Sequence, residues 1–345
     1  MEQKKIAGLV WDQPLPVGKL DTDLLREIVF KHIHHKRAEV LVRPGVGEDC
    51  ATLDFDRYEC VMSTDPITAA ISEIGRLAIH ITCNDIASNG VEPLGIMLAV
   101  MLPVGTTARE IETIMKQAAE VSESLGVEII GGHTEITPAV NRPVIVSTAI
   151  GRTVAGGSQR AQNMRPGDAI LMTKQAGLEG TGIIASDFAD QLTSVLTEDE
   201  LNEAKGYLKM VSVVKEGVAA GTMGTAGMHD ITEGGVLGAV WELSEIAGVG
   251  VELEEAKIPV SSVTRKVCEH FGINDLRLIS SGCMMIIVHP DREQAVADAI
   301  RAAGVSVTRI GRVTGFGEPR VMIDAEGERR TIDPPESDEL YKVVK

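Results

Sequence analysis

Aromatic residues make up only 3% of the 345-residue chain, with two Trp, three Tyr and five Phe. So few rings cannot form the stacking platform that holds single-stranded nucleic acid. Positive charge is also short. Lys and Arg number 33 against 50 Asp and Glu, a formal charge of −17. Such a surface repels phosphate backbones and anionic lipid. Both shortages argue against nucleic acid and membrane as partners. No apolar run reaches the length of a membrane span. The start, MEQKKIAGLVWDQ, lacks the apolar stretch and cleavage-like site of a secretory signal. Cysteine is sparse and odd in number: Cys50, Cys60, Cys83, Cys268 and Cys283, with no C-x-x-C pair. That pattern predicts reduced, buried thiols in a cytoplasmic protein. An acidic chain can still bind a nucleotide if magnesium bridges the charges.

What is present is ample apolar residue, 44%, and enough length for two domains. Strand-like and helix-like segments alternate in both halves, which predicts an α/β or α+β fold. In the first half, residues 21–35 have the apolar spacing of a helix, and 38–42 read as a strand. LGIMLAVML (94–102) is a continuous apolar run, the signature of a strand buried on both faces. Residues 107–126 spell an amphipathic helix stopped by Gly126. Strands are predicted at 127–130 and 143–151, around a loop GGHTEITPAVNR. A boundary is expected within 151–168, dividing the chain into domains 1–155 and 156–345. The second half opens with strand AILMT, a Gly-rich turn QAGLEGTG and a helix, followed by a helical stretch over 198–220. GTMGTAGMHDITEGG reads as a second Gly-rich loop, and the end of the chain as β-α-β.

One stretch poses a chemical question. In SEIGRLAIHITCNDIASNG, Asp85 falls on the same helical arc as Ile74, Leu77, Ala78 and Ile81. A carboxylate on an apolar side needs a partner: an Arg, backbone N–H groups or a metal ion. Three more aspartates sit beside Gly-rich or strand-end segments. Asp49 lies in GVGEDC, Asp65 ends the strand VMST, and Asp230 lies in GMHDITEGG with Glu233 three residues on. Hard cations such as magnesium need carboxylate oxygens converging from several segments. Singly, each of these three is explained better as a turn or helix cap. The four together favour a cation site.

Gly177, Gly180 and Gly182 lie between a strand and a helix, where backbone N–H groups attract phosphate. The loop matches neither G-x-x-x-x-G-K-[ST] nor G-x-G-x-x-G, and a plain tight turn explains it equally well. Lys174 precedes it and can reach a phosphate as a point charge, although surface lysines are common. HIHH (32–35) reads as a solvated helix end. His133 in GGHTE and His229 beside Asp230 are better placed for function. Cys50 and Cys83 neighbour candidate ligands, but nothing marks either as a nucleophile.

In order, GEDCATLDF, MSTDPI, GRLAIHITCNDIASNGVEPLG, GVEIIGGHTEI, IGRTV, MRPGDAILMTKQAGLEGTGIIA, MHDITEGGVLGAVWEL and ISSGCMMIIV resemble the aminoimidazole ribonucleotide synthetase superfamily. The resemblance spans about residues 20–325 and is strongest to its hydrogenase-maturation branch, the carbamoyl dehydratases. It implies a two-domain α/β fold: an N-terminal domain whose strands form a barrel shared across a homodimer, and a C-terminal α/β sandwich. It implies ATP in the cleft between domains and magnesium on Asp49, Asp65, Asp85 and Asp230. Gly47, Asn84, Gly131, Gly132, Gly177, Gly180 and Gly182 would contact the nucleotide. Asp85, His133, Glu135 and Lys174 would serve catalysis. The implied chemistry is ATP-dependent phosphorylation of an oxygen acceptor, often an amide or carboxamide oxygen.

The chain departs from the family in two places. His133 stands where family members carry Asp or Glu after Gly-Gly, so Glu135 is expected to take over as a ligand. The end, SDELYKVVK, has no cysteine after Cys283, whereas the hydrogenase-maturation branch carries its substrate on a C-terminal cysteine. A different acceptor, small or protein-borne, is therefore expected. Two other readings stay open: a small-molecule kinase like thiamine-monophosphate kinase, and an ATP-binding partner protein without turnover.

Overall fold

A computed structural model describes residues 22–24, 26, 29–68, 73–335 and 337–344. Part of the helix expected over 21–35 lies outside the described residues. Within them Phe30–His32 is a 3-10 turn and 33–35 is not helical.

The described chain folds around two sheets. The first holds β1 (Val40–Val42), β2 (Ala51–Phe55), β3 (Tyr58–Ile67), β4 (Pro93–Leu102), β5 (Glu128–Ile136) and β6 (Val144–Val154). Their order is β1-β2-β3-β6-β4-β5, antiparallel except for the pair β4/β5. The second holds β7 (Ala169–Thr173), β8 (Gly227–Asp230), β9 (Val249–Glu254), β10 (Met284–Val288), β11 (Val307–Phe316), β12 (Arg320–Ile323) and β13 (Arg329–Thr331). Their order is β13-β12-β9-β11-β7-β10-β8, with only β12/β9 parallel. The chain is thus a mixed α/β protein of two units. The first sheet is open, and no closed barrel forms among the described residues.

Two helices, α1 (Ile74–Ser88) and α2 (Ala108–Leu125), cover one face of the first sheet. The ends of α2 are written locally. Thr107 and Glu110 close a reciprocal capping box, and Gly126 ends the helix in the left-handed conformation at φ 69°. Around the second sheet lie α3 (Leu178–Asp187), α4 (Glu198–Gly206), α5 (Val214–Met223), α6 (Gly235–Ala247), α7 (Ser262–Phe271) and α8 (Glu293–Ala302).

Helix α1 is the hinge pin of the molecule. Apart from Arg76 and Ile81 its residues are buried. It packs on α2, β3 and β6 of its own unit and on α5 and β8 of the other. The approach to α5 depends on Gly217, where a Cβ would stand 2.5 Å from the Ala87 carbonyl oxygen. Ile79, Ile86 and Ala87 therefore share one apolar cluster with Val213, Ala220, Met228 and Ile286 across the two units.

Several local expectations need correction. LGIMLAVML is a strand, but only one face is buried. Ile96, Leu98, Val100 and Leu102 pack inward, while Leu94 is 47% and Met97 42% exposed. GGHTEI is not a loop but the C-terminal part of edge strand β5. The glycines suit that edge: a Cβ on Gly132, at φ 147°, would lie 2.0 Å from the Leu98 carbonyl oxygen. The helical stretch at 198–220 is two helices, α4 and α5, broken at 207–213. QAGLEGTG is mostly helix, since α3 begins at Leu178. Asp230 ends a strand rather than sitting in a loop.

Candidate active site

A cleft of about 640 Å³ opens between the two units. Along α1, Leu77, Ile81 and Asp85 line it at successive four-residue steps. Part of the arc that carries Asp85 thus faces the cleft, while Ile74 and Ala78 of the same arc stay in the core. From the first unit the lining adds Glu48 and Asp49 from the turn before β2, and Ser63 to Ile67 of β3. From the second it adds Glu179, Ile183, Thr232, Glu233, Ile279, Ser281 and Tyr341. Among the described residues, six carboxylates and no Lys, Arg or His line this space.

At one end the four expected aspartates converge. The Ser63 hydroxyl lies between Asp85 Oδ2 at 2.5 Å and the Asp49 backbone carbonyl at 3.0 Å. Ser88 accepts the Asp230 backbone N–H at 3.0 Å, tying the end of β8 to α1. Burial pushes the Asp85 carboxyl well above the usual carboxylate range, and Asp65, Asp230 and Asp49 push it further. Burial, with the same aspartates, also raises the Cys50 thiol, which donates to the Asp85 carbonyl at 3.2 Å. Cys50 is therefore no nucleophile.

Beneath the aspartates sits His229. Its Nδ1 lies 2.6 Å from the Asp230 carbonyl oxygen and 3.4 Å from Asp49 Oδ2, and its Nε2 lies 3.0 Å from Glu242. Burial pulls its pKa down, but Asp49, Glu242 and Asp230 outweigh burial and raise it to about 10. These neighbours favour its charged form beneath the carboxylates. Asp49, His229 and Asp230 offer ligand atoms within 4.8 Å of one another. With both imidazole nitrogens already engaged, the donors left for an ion are oxygens. Oxygen donors from separate segments, one of them penalised as a charge by burial and by its neighbours, fit a hard divalent cation.

The other expected site residues lie elsewhere. Asn84 is fully buried. Its amide donates to the Val211 carbonyl at 2.8 Å and accepts the Val213 N–H at 2.9 Å, so it clamps the units together and does not face the cleft. Lys174 Nζ bonds the Ser212 carbonyl at 2.7 Å, the Gly282 carbonyl at 2.7 Å and the Glu216 carboxylate. All three ammonium protons are engaged, so Lys174 is a core ion-pair residue rather than a phosphate contact. Gly47 lies in the turn before Asp49, packed on Glu242.

Gly177, Gly180 and Gly182 do not form an open phosphate loop. The Gly177 N–H donates to Ser280 and the Gly180 N–H to the Ile279 carbonyl. A Cβ on Gly180 would meet Leu278 at 2.5 Å and one on Gly182 would meet Leu208 at 2.7 Å. These glycines permit close packing of α3. Gly131, Gly132, His133 and Glu135 lie on the free edge strand β5, outside the cleft. There His133 Nε2 and Glu135 Oε2 stand 3.4 Å apart and exposed.

Sequence reasoning missed Ser63, Glu179, Ser281 and Tyr341. Glu179 and Ser281 sit inside GLEGTG and ISSGC, but nothing local says that they come together on one wall of the cleft. Burial raises the Glu179 carboxyl to about 7, with Ser281 opposing the shift. Burial likewise raises Asp338 to about 6, against the pull of three backbone N–H donors.

Family models match on either side of residues 154–164. AIR synthase related protein, N-terminal domain, covers 47–153, and AIR synthase related protein, C-terminal domain, covers 165–324. The chain belongs to the AIR synthase related family. Among its relatives is a putative hydrogenase expression/formation protein of Methanocaldococcus jannaschii, 28% identical over 94% of this chain and 97% of that protein. Carbamoyl dehydratase HypE of Rhodobacter capsulatus is 28% identical over 94% and 95%. HypE in the crystal structure of a HypE–HypF complex superposes with a TM-score of 0.73 at 26% identity, over 84% of this chain and 94% of that one. HypE in complex with ATP, at 22% identity and TM-score 0.68 over 94% and 97%, shares the fold. So does ThiL complexed with AMPPCP and TMP, at 17% and 0.72 over 94% and 99%. No described helix is long and apolar enough to cross a membrane.

Proposed function

We propose that this AIR synthase related protein is a magnesium-dependent, cytoplasmic enzyme that uses ATP to phosphorylate an oxygen acceptor of amide or carboxamide type. The observation that carries the reading is the convergence of Asp49, Asp65, Asp85 and Asp230, from both units, at one end of a cleft that no cationic side chain among the described residues lines. Without a bridging ion this end would repel a triphosphate. Magnesium held by these oxygens would supply the positive charge that polarises the phosphates. The chain's own groups do the rest. His229 anchors Asp49 and Asp230 from below, Ser63 orients Asp85, and the Asn84 clamp keeps the two walls in register. The HypE relatives, one of them solved with ATP, support the nucleotide and the class of chemistry.

The same reading makes the protein a homodimer. Helices cover one face of the first sheet, and the other presents Leu94, Met97 and Ile130 to solvent. Pairing that face with a two-fold mate, in the manner of a shared barrel, would bury it. It would also be the route by which His133 and Glu135 reach a cleft, and their catalytic assignment rests on it.

ADP release, measured with ATP and a panel of amide, carboxamide and thiamine-type acceptors, tests the reading. Turnover with one acceptor class that EDTA abolishes is expected. ATP binding without turnover on any acceptor would leave a nucleotide-binding partner protein instead.

A further inference from the structure

The aspartate end occupies only part of the cleft. At the wall supplied by the second unit, Glu179 and Ser281 interact with each other, yet Glu179 Oε2 and Ser281 Oγ are buried and neither forms a well-aligned hydrogen bond with any described group. Their residues are 6% and 1% exposed, yet both line the cleft. Buried polar atoms left without good bonds are costly, so a pair facing one cavity marks a place where something else completes the bonds.

The surroundings define what fits. The nearby acids already have partners. The Tyr341 hydroxyl donates to Glu233 at 2.8 Å, and Asp338 accepts the N–H groups of Gly234, Leu340 and Ile279 at 2.7, 2.8 and 3.2 Å. Glu179 has only Ser281 beside it, and among the described residues no cationic side chain lines the cleft to offset its charge. An anionic group would therefore be repelled here. A quaternary ammonium needs an aromatic cage, and Tyr341 is the one ring in the lining. A nitrogen that carries protons can donate to Glu179 and to Ser281 together. Beside them Ile183 and Ile279 supply aliphatic wall for a short carbon stem.

We propose that Glu179 and Ser281, flanked by Ile183 and Ile279, form a subsite for a protonated primary or secondary amine on an aliphatic stem, carried by the acceptor. The subsite rests on the reading above only in that the aspartate end is left to the magnesium–nucleotide. The acceptor is then bound at its amine and presents its oxygen toward the aspartates.

The test uses three probes of equal stem length: butylamine, butanol and butyrate. Each is titrated into the full-length protein, with and without magnesium and a non-hydrolysable ATP analogue. Binding is read by ligand-observed NMR and thermal shift. Butylamine is expected to bind, with butanol at least tenfold weaker and butyrate not at all. Glu179→Gln is expected to weaken butylamine at least tenfold while keeping the nucleotide-induced thermal shift. Ser281→Ala, which removes only a hydroxyl, is expected to weaken butylamine severalfold and serves if Glu179→Gln fails to fold. Equal binding of butanol and butylamine, or butylamine binding unchanged in the variants, overturns the subsite. Absence of a nucleotide shift in the wild-type protein would sink the ATP reading alone, because the amine is also titrated without nucleotide.

Discussion

The side-chain oxygen of Asn84 accepts the backbone N–H of Val213 at 2.9 Å, joining two residues 129 positions apart. The other end of the same amide donates to the Val211 carbonyl at 2.8 Å. Asn84 is thus a bolt between the units, one residue before Asp85. Asn84→Ala would leave two buried backbone groups unmet. Unfolding by denaturant should show a loss of about 2–4 kcal/mol. An unchanged midpoint, combined with weakened nucleotide binding, would put Asn84 in the site instead.

Lys174 and Glu216 form a second bolt in the same region. Glu216 is only 1% exposed, so removing its partner strands a buried charge. Lys174→Met should cost about 3–5 kcal/mol of stability. It should leave the thermal shift induced by magnesium–ATP intact. Loss of that shift with normal stability would restore Lys174 as a phosphate contact.

Glu179 makes stability depend on pH in a definite direction. Burial raises its carboxyl to about 7 in the folded state, against about 4.3 for an unfolded Glu. The contribution is fully present below the unfolded value and is lost as pH rises through about 7. Glu179→Gln cannot suffer that loss. The variant should therefore gain on the wild-type between pH 5 and pH 8, by about 2–3 kcal/mol at most. Urea melts at several pH values measure this. A wild-type-to-variant difference that stays constant over the range would show that the carboxyl is not shifted.

The bare face of the first sheet predicts assembly. Light scattering at micromolar concentration should give twice the chain mass. Met97→Glu, which puts a charge on that face, should raise the dimer dissociation constant at least about tenfold. A wild-type chain that stays monomeric contradicts the pairing.

Much of this molecule was legible in its sequence where the signal is local. Helix α2 announced its end through Gly126 and its extent through its amphipathic spacing. Asp85 stood out because a carboxylate on an apolar arc demands a partner, and Asp49, Asp65 and Asp230 because they sit beside Gly-rich or strand-end segments. What failed was non-local. GGHTEI reads as a loop because two glycines weaken any strand, yet pairing with β4 holds it straight. LGIMLAVML is apolar throughout, and only the sheet tells which face a helix covers. Lys174 looks like a phosphate lysine until Glu216, on another element, is seen beside it. Glycines 177, 180 and 182 carry the same letters whether they cradle phosphate or let Leu278 and Leu208 approach.

The central claim is that Asp85 belongs to a cation site, and thermal unfolding of Asp85→Asn tests it most directly. In the apo protein Asp85 is buried among Asp65, Asp230 and Asp49, which all penalise its charge. Removing the charge should leave the melting temperature of the apo protein unchanged or raised. The stabilisation that magnesium–ATP gives the wild-type should largely disappear. An Asp85→Asn protein that melts lower than wild-type yet keeps the full magnesium–ATP shift would contradict the account and make Asp85 a structural residue.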